Sequence, residues 1–416
     1  MRAVRLERPI LTGFGHRPSG VYDLLGRAWT LSRTDLASRM ASIDQRAREA
    51  LADLVERTRG IPTFAAVVMV EGHIVLEHNA ARPLCACSTF KVAAATAVMT
   101  LVQEGVIDLD RPVPYYDSSL AFIDTVAAEE ITLRQLLCHT SGLDDTDEPE
   151  PQPWQCLRNV AFVARPGRAF RYSNVAFDLG VLTAARRAGQ SYEDLLRTRV
   201  LAPLAMQDTH WRPGFTFSAP FTTARDLMRL AEEHLGGNRI LRPHYLAEMH
   251  RVHADSFTAG PCRYYGLGID VERWADRTLL SHGGGLDRYG TAFVIDQTER
   301  AAVALLFDDP AGYSVSAHAL LDRVLDRQTM PPLLRPNTTE WAPYLGRYSN
   351  GAELIRRAGR LLVRWKDQEH VLEAIDERLF ASDRVSVGLL EGSPTMISVN
   401  DFILIGAQPG VLLAHL

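Results

Sequence analysis

The segment 84-LCACSTFKVAAATAVMTLVQEG-105 decides the fold, and it carries two signals. From Phe90 onward it is a run rich in Ala, Val and Leu, closed by Gly105, as expected of a helix buried on every side. At its start, Ser88 and Lys91 stand three apart, so on a first helical turn they share a face. Of the chain's 45 lysines and arginines, only Lys91 and Lys366 are lysine. A serine hydroxyl is a poor nucleophile until a neighbouring base takes its proton. Lysine can do this when desolvated, and Phe90, Val92 and Ala93 to Ala95 would desolvate it. Arginine cannot, because its pKa stays above about 12. The free N–H groups of the helix start, that of Ser88 among them, form a positive end suited to an oxyanion. A lone Ser-x-x-Lys would be read as an ordinary solvent-facing lysine. The scarcity of lysine tells against that here.

Working outward, 64-FAAVVMVEGHIVLEHN-79 is two apolar runs around Glu71-Gly72, the pattern of a β-hairpin. Before it, Leu36, Met40, Ile43, Ala47, Leu51 and Leu54 recur at helical spacing between a Thr34-Asp35 start and Gly60. Residues 1–34 form an N-terminal extension. The middle, roughly 110 to 250, predicts helices and loops. It includes an acidic, proline-rich stretch at 144–154, read as a solvated loop that could draw a cationic substrate if it lies at a cleft mouth. Next come 277-RTLLSHGGG-285, 289-YGTAFVID-296 and 301-AAVALLFD-308, an antiparallel meander, followed by a helical 314–327. The pattern predicts an α+β fold in which strands from both ends share one antiparallel sheet flanked by helices, with the middle as a helical lobe. This catalytic unit spans 35–327. A Pro-rich linker follows, and 336–416 alternates apolar and polar in short runs, predicting a small all-β domain.

The 416 residues suffice for a full-sized domain plus a smaller one. A net charge of −5 and scattered arginines argue against a nucleic-acid partner. No run of 18 apolar residues predicts a membrane span, and the N-terminal stretch lacks the apolar core of a secretory signal. Five cysteines without framework spacing fit free thiols. A cytoplasmic location is therefore expected.

Several motifs recur in a familiar order: 87-CSTFKV-92, 101-LVQEGVIDLDRPV-113, 131-ITLRQLLCHTSGL-143, 166-PGRAFRYSN-174, 200-VLAPLAMQDTHW-211, 265-YGLGI-269 and 281-SHGGGLDRYG-290. Together they resemble the serine β-lactamase and penicillin-binding-protein superfamily, nearest its class C β-lactamase, esterase and D-peptidase branch. The resemblance runs from about residue 60 to 325, and the C-terminal domain resembles the lipocalin-like modules often fused to that branch. It implies Ser88 as nucleophile, Lys91 as its proton partner and Tyr172 as the group assisting proton transfer. Asn174 would contact Lys91 and the substrate amide. His282, Gly283 and Gly284 match the third element, on an edge strand lining the cleft, and the Gly285 N–H would complete the oxyanion hole. The β-lactamases of this superfamily usually carry Lys-Thr-Gly at that element. His282 and Gly283 remove the hydroxyl that helps hold a substrate carboxylate, and His-Gly versions are frequent among esterases, acyltransferases and thioesterase-like members. Ala205 stands where "PLGM" has glycine.

Other candidates carry less. His139 in the "CHTSGL" segment is read as a structural residue by the resemblance. The Cys85-x-Cys87 pair lacks the second pair a zinc site needs, and Arg288 occupies the place of a third glycine in any nucleotide loop. No metal or organic cofactor is implied. Three functional classes stay open: a hydrolase of esters or D-amino-acid amides; an acyltransferase or peptide-cyclising thioesterase; and a non-catalytic acyl-ligand binding protein. The expected substrate is a small-molecule or peptidyl acyl group, free or borne on a carrier protein.

Overall fold

The computed structural model describes residues 21–22, 28–29 and 33–405, with breaks at 121, 123, 146–156, 215, 257–263, 274–276, 310–311, 313–315, 328–341, 349–350, 375–378, 382–385, 391–395 and 400–401. The linker, most of the N-terminal extension and most of the acidic stretch thus lie outside the described residues.

Helix α1 (Arg33–Arg57) leads into strands β1 (Phe64–Val70) and β2 (His73–His78). Glu71 and Gly72 both adopt positive φ, the conformation a two-residue hairpin turn requires. The run after the quoted serine is helix α2 (Lys91–Gln103), and Asn174–Arg187 forms α3. Two short strands, β3 (Ala254–Asp255) and β4 (Tyr264–Tyr265), precede β5 (Asp270–Arg273). The meander is β6 (Thr278–Leu286), β7 (Tyr289–Asp296) and β8 (Ala301–Phe307), and α4 (Ala317–Leu325) closes the unit. The sheet order is β2-β1-β8-β7-β6-β5-β4-β3. The β1–β8 pairing, Phe64 opposite Phe307 through Val70 opposite Ala301, joins the two ends of the unit as the sequence pattern predicted.

Side chains alternating along the strands serve two cores. Ala66, Val68 and Val70 of β1 pack with Val303 and Leu305 against Ile43, Ala47 and Leu54 of α1 and Leu321 and Val324 of α4. On the other face, Ala65, Val67, Met69, Ala304 and Leu306 join a larger core with α2 and α3. Every residue of α2 from Lys91 to Leu101 is buried, so the helix runs through the interior between the sheet and the helical lobe.

Ala205 sits at φ 56, in the left-handed region, which explains why a glycine suits this position in the resembling sequences. The C-terminal portion is an eight-stranded antiparallel meander in chain order, from Gly346–Arg347 to Phe402–Ile405. One of its hairpin turns carries Lys366, exposed and at positive φ.

Candidate active site

Ser88 is not on the first turn of an α-helix, as the spacing predicted. It lies in a 3-10 turn, Cys87–Phe90, that runs directly into α2. In a 3-10 turn residues i and i+3 eclipse one another, which brings Lys91 more directly beside Ser88 than α-helical geometry would. Cys87, just before the serine, has φ 48, a strained value for a non-glycine residue. Lys91 Nζ donates to Ser88 Oγ at 3.4 Å and to Asn174 Oδ1 at 2.7 Å. It also lies 5.2 Å from the Tyr172 ring centroid and 5.4 Å from that of Phe177.

The electrostatics of Lys91 differ from the sequence expectation. Burial does press its pKa down, but Tyr172, Asp178 and Asp145 outweigh that effect, and the net shift is upward. Apolar neighbours alone suggested a neutral amine. The polar neighbours come from segments distant in sequence, and they hold the proton on Lys91. Asp178, one turn along α3 from Asn174, is buried and pushed up to about 6, chiefly by desolvation. Among the described residues its Oδ1 has no hydrogen-bond partner.

Tyr172 is seated by His139. That imidazole is fully buried, its ring centroid 4.2 Å from that of Tyr172, and its Nδ1 accepts the Ser173 N–H at 3.2 Å. Burial drives its pKa well below the usual histidine range, so the ring is neutral with its proton on Nε2. A base function has no geometric support; His139 shapes the wall behind Tyr172.

His282 is likewise neutral, pulled down to about 3 by burial and by the Lys91 charge. Its Nδ1–H donates to the Gly283 carbonyl at 2.6 Å and its Nε2 accepts from the Tyr265 hydroxyl at 3.0 Å. Both ring nitrogens are thus engaged within the protein, and His282 fixes the strand on which the glycines lie. That strand, β6, is interior in the sheet order. It pairs with β5 only through Thr278–Ser281, whereas its pairing with β7 continues to Leu286. Past Ser281 one edge is therefore open, and there Gly283, Gly284 and Gly285 line the cleft. Gly284 has no room for a side chain: a Cβ would meet Thr291 Oγ1 at 2.5 Å and both Cys87 Cβ and the Ser88 nitrogen at 2.7 Å. The missing side chain lets the strand approach the nucleophile's own peptide.

These groups converge on a cavity of about 360 Å³ lined by Ser88, Phe170, Tyr172, Asn174, Tyr265, Asp270, His282 and the three glycines. Lys91 lies behind Ser88 in the wall. All eight residues singled out from the sequence are brought together. The sequence model of the Beta-lactamase family matches residues 43–327. The chain belongs to the Beta-lactamase family. Within it, the D-alanyl-D-alanine-carboxypeptidase/endopeptidase AmpH of Escherichia coli K12 is 30% identical over 146 residues, covering 30% of this chain and 38% of AmpH. The chain thus matches well under half of that relative's length. Among solved structures, SurE with D-Leu superposes with a TM-score of 0.68 at 20% identity, covering 89% of this chain and all of SurE. The D-amino acid amidase of Ochrobactrum anthropi SV3, complexed with D-phenylalanine, gives 0.55 at 21%, covering 70% of this chain and 98% of the amidase. At these identities the likenesses establish the fold. Sequence reading passed over two groups at this Beta-lactamase-family cleft: Tyr265 in its lining and Asp145, which holds the lining residue Asn174. Tyr265 opens the quoted "YGLGI" motif, and Asp145 is the second residue after "HTSGL".

The acidic stretch also reads differently in three dimensions. Its first residues are not a solvated loop. The Arg171 Nε and Nη2 donate to Asp144 Oδ1 at 2.8 and 2.6 Å, Ser173 Oγ donates to the Asp144 carbonyl at 2.9 Å, and Asp145 receives Asn174. The stretch is laced to the Tyr172–Asn174 segment at its start.

Proposed function

We propose that the protein is a serine acyl-enzyme hydrolase acting on an ester or amide. The observation that carries this reading is the placement of Lys91 Nζ between Ser88 Oγ and Asn174 Oδ1, directly behind two residues that line an open cleft. Ser88 Oγ attacks the substrate carbonyl carbon while its proton passes to the Lys91–Tyr172 pair, which must first have given up one proton to solvent in order to accept it. The tetrahedral oxyanion is met by the N–H groups of Ser88 and Gly285. Collapse breaks the bond to the leaving group, which takes the proton back, and leaves an ester on Ser88. Water, deprotonated by the same pair, then releases the acid.

The lining supports a particular substrate class. No lysine or arginine is among the described residues lining the cavity, and His282 is neutral. A free carboxylate would find no counter-charge in the lining itself, because the Lys91 ammonium lies behind Ser88 and is engaged by Asn174 Oδ1, so an acyl group joined through an ester, amide or thioester is the better fit. The likeness to structures holding D-leucine and D-phenylalanine supports an amino-acid or peptidyl acyl group. Transfer to an amine or alcohol, including cyclisation, would use the same ester with a different second nucleophile.

Intact-protein mass spectrometry after exposure to nitrophenyl esters, a penicillin and peptidyl thioesters, beside Ser88→Ala, tests the reading. An adduct that requires Ser88 is expected. Faster clearance by amines than by water would assign a transferase instead. No adduct from any donor would sink the catalytic reading and leave a binding protein.

A further inference from the structure

Asn174 can orient its side-chain amide in two ways, and only one suits Lys91. With Oδ1 toward Lys91, the ammonium finds an acceptor; with Nδ2 there, two donors face each other. The amide's far end settles the choice. Asn174 Nδ2 donates to Asp145 Oδ2 at 2.9 Å, while Asp145 Oδ1 accepts the backbone N–H of Asn174 at 3.0 Å and of Val175 at 3.3 Å. An ionised carboxylate only accepts hydrogen bonds, so an amide held against it must present its NH2 group there and its oxygen to Lys91.

We propose that Asp145 is a positioning residue: its carboxylate fixes which end of the Asn174 amide faces Lys91, and thereby holds Lys91 beside Ser88. The role rests on the acyl-enzyme reading for its effect on turnover, but not for its effect on Lys91. Asp145 itself is placed by its neighbour. Asp144 is clamped by the buried Arg171 and by the Ser173 hydroxyl, so the two aspartates follow the chain around the start of α3. Asp145 also caps α3 through two backbone N–H groups, and a purely structural capping role must be separated from positioning.

Asp145→Asn makes that separation. The asparagine Oδ1 can still accept the two backbone N–H groups, and asparagine caps helices about as well as aspartate. Its NH2, however, would face that of Asn174, which turns the Asn174 amide and presents a donor to Lys91. Ser316→Ala serves as the capping control, because the Ser316 hydroxyl accepts the Ala319 N–H at 3.1 Å at the start of α4 and touches neither aspartate. The chain's lysine content gives a direct readout. Protein labelled with ε-13C-lysine shows two side-chain signals, Lys91 and Lys366, assigned with Lys366→Arg.

Burial opposes the charge on Lys91, but Tyr172, Asp178 and Asp145 face it and together hold its pKa above the ordinary lysine value. In Asp145→Asn, Lys91 should begin to titrate at lower pH than in the wild type, and kcat/KM on whichever ester is turned over should fall about 10²-fold. The melting temperature should stay near that of the wild type. Ser316→Ala should lower the melting temperature and leave the Lys91 curve in place. A Lys91 curve in Asp145→Asn that superimposes on the wild type up to pH 10.5 overturns the proposal. If Asp145→Asn does not fold, Asp145→Glu gives a second test that keeps the charge. The longer side chain moves the carboxylate off the Asn174 amide, and an unchanged kcat/KM there would also overturn the positioning role. Absence of any Ser88 ester in the wild type would remove the function reading and still leave the Lys91 curves to decide on Asp145.

Discussion

Lys91 is the residue on which the site turns, and its charge state matters more than its presence. Because Tyr172, Asp178 and Asp145 keep it protonated, the exchange of a proton with Ser88 has to run through a pair that already holds one positive charge. Lys91→Arg keeps the charge, yet a guanidinium cannot hand a proton back and its planar fork does not fit a site built for a compact ammonium. We expect kcat to drop about 10³-fold with the melting temperature little changed, measured on the best ester from the labelling panel. A rate within tenfold of the wild type would remove Lys91 as proton partner. Lys91 was legible in the sequence through its rarity and its spacing from Ser88, and Tyr172, Asn174 and His282 through motif order. Asp145 and Tyr265 were not. Asp145 looked like the start of an acidic loop, and Tyr265 meets His282 across 17 residues of chain with no periodicity to announce the contact. The direction of the Lys91 shift was missed for the same reason, since its apolar neighbours are local in sequence and its anionic ones are not.

Among the elements, the junction between β6 and the 3-10 turn is the tightest. Three atoms lie within 2.7 Å of where a Gly284 side chain would begin, and two of them belong to the Cys87–Ser88 turn. Gly284→Ala therefore has to push the strand away from the nucleophile. A displacement of about 1 Å in a reacting group costs on the order of 10²-fold in rate, and we expect at least that loss in kcat/KM. The contrast is Gly285→Ala, next along the strand, where nothing lies within 4 Å of the added carbon; its effect should be the smaller. Equal losses in the two variants would show that the close approach of β6 is unimportant. The strands and helices themselves were read well from period and punctuation. The 3-10 turn was not, because a serine three residues before a lysine looks the same in either helix type until the carbonyls are placed.

Over the whole molecule, the buried histidines set the response to acid. His139, His234, His250 and His282 are all held well below the ordinary histidine value, by burial first in each case. His234 and His250 form a buried relay: Gln297 Nε2 donates to His250, His250 to His234 at 2.8 Å, and His234 to Thr96 on α2. A group with a depressed folded pKa that is neutral when folded contributes fully above its unfolded value, near 6.5, and loses that contribution as pH falls toward the folded value. His318 runs the other way. Burial opposes its charge, but Glu272 and Asp322 raise it overall, so its pairing contributes below about pH 6.5 and fades above its raised value. With His253 also lowered by burial, five such rings outweigh His318 and the opposing proton uptake of Asp178 near pH 6, so the free energy of unfolding should fall from pH 6.5 to 4.5. Urea unfolding at half-unit pH intervals would check this, and a flat profile over that window would contradict the neutral assignment of these rings.

One further property comes from the pairing of a buried Lys91 with an exposed Lys366 at a hairpin turn of the C-terminal meander. Amine-directed coupling chemistry will find, among the lysine side chains, a single open attachment point. A dye, bead or surface joined there leaves the cleft's own amine untouched, so any molecule tethered through a lysine is held by the same turn.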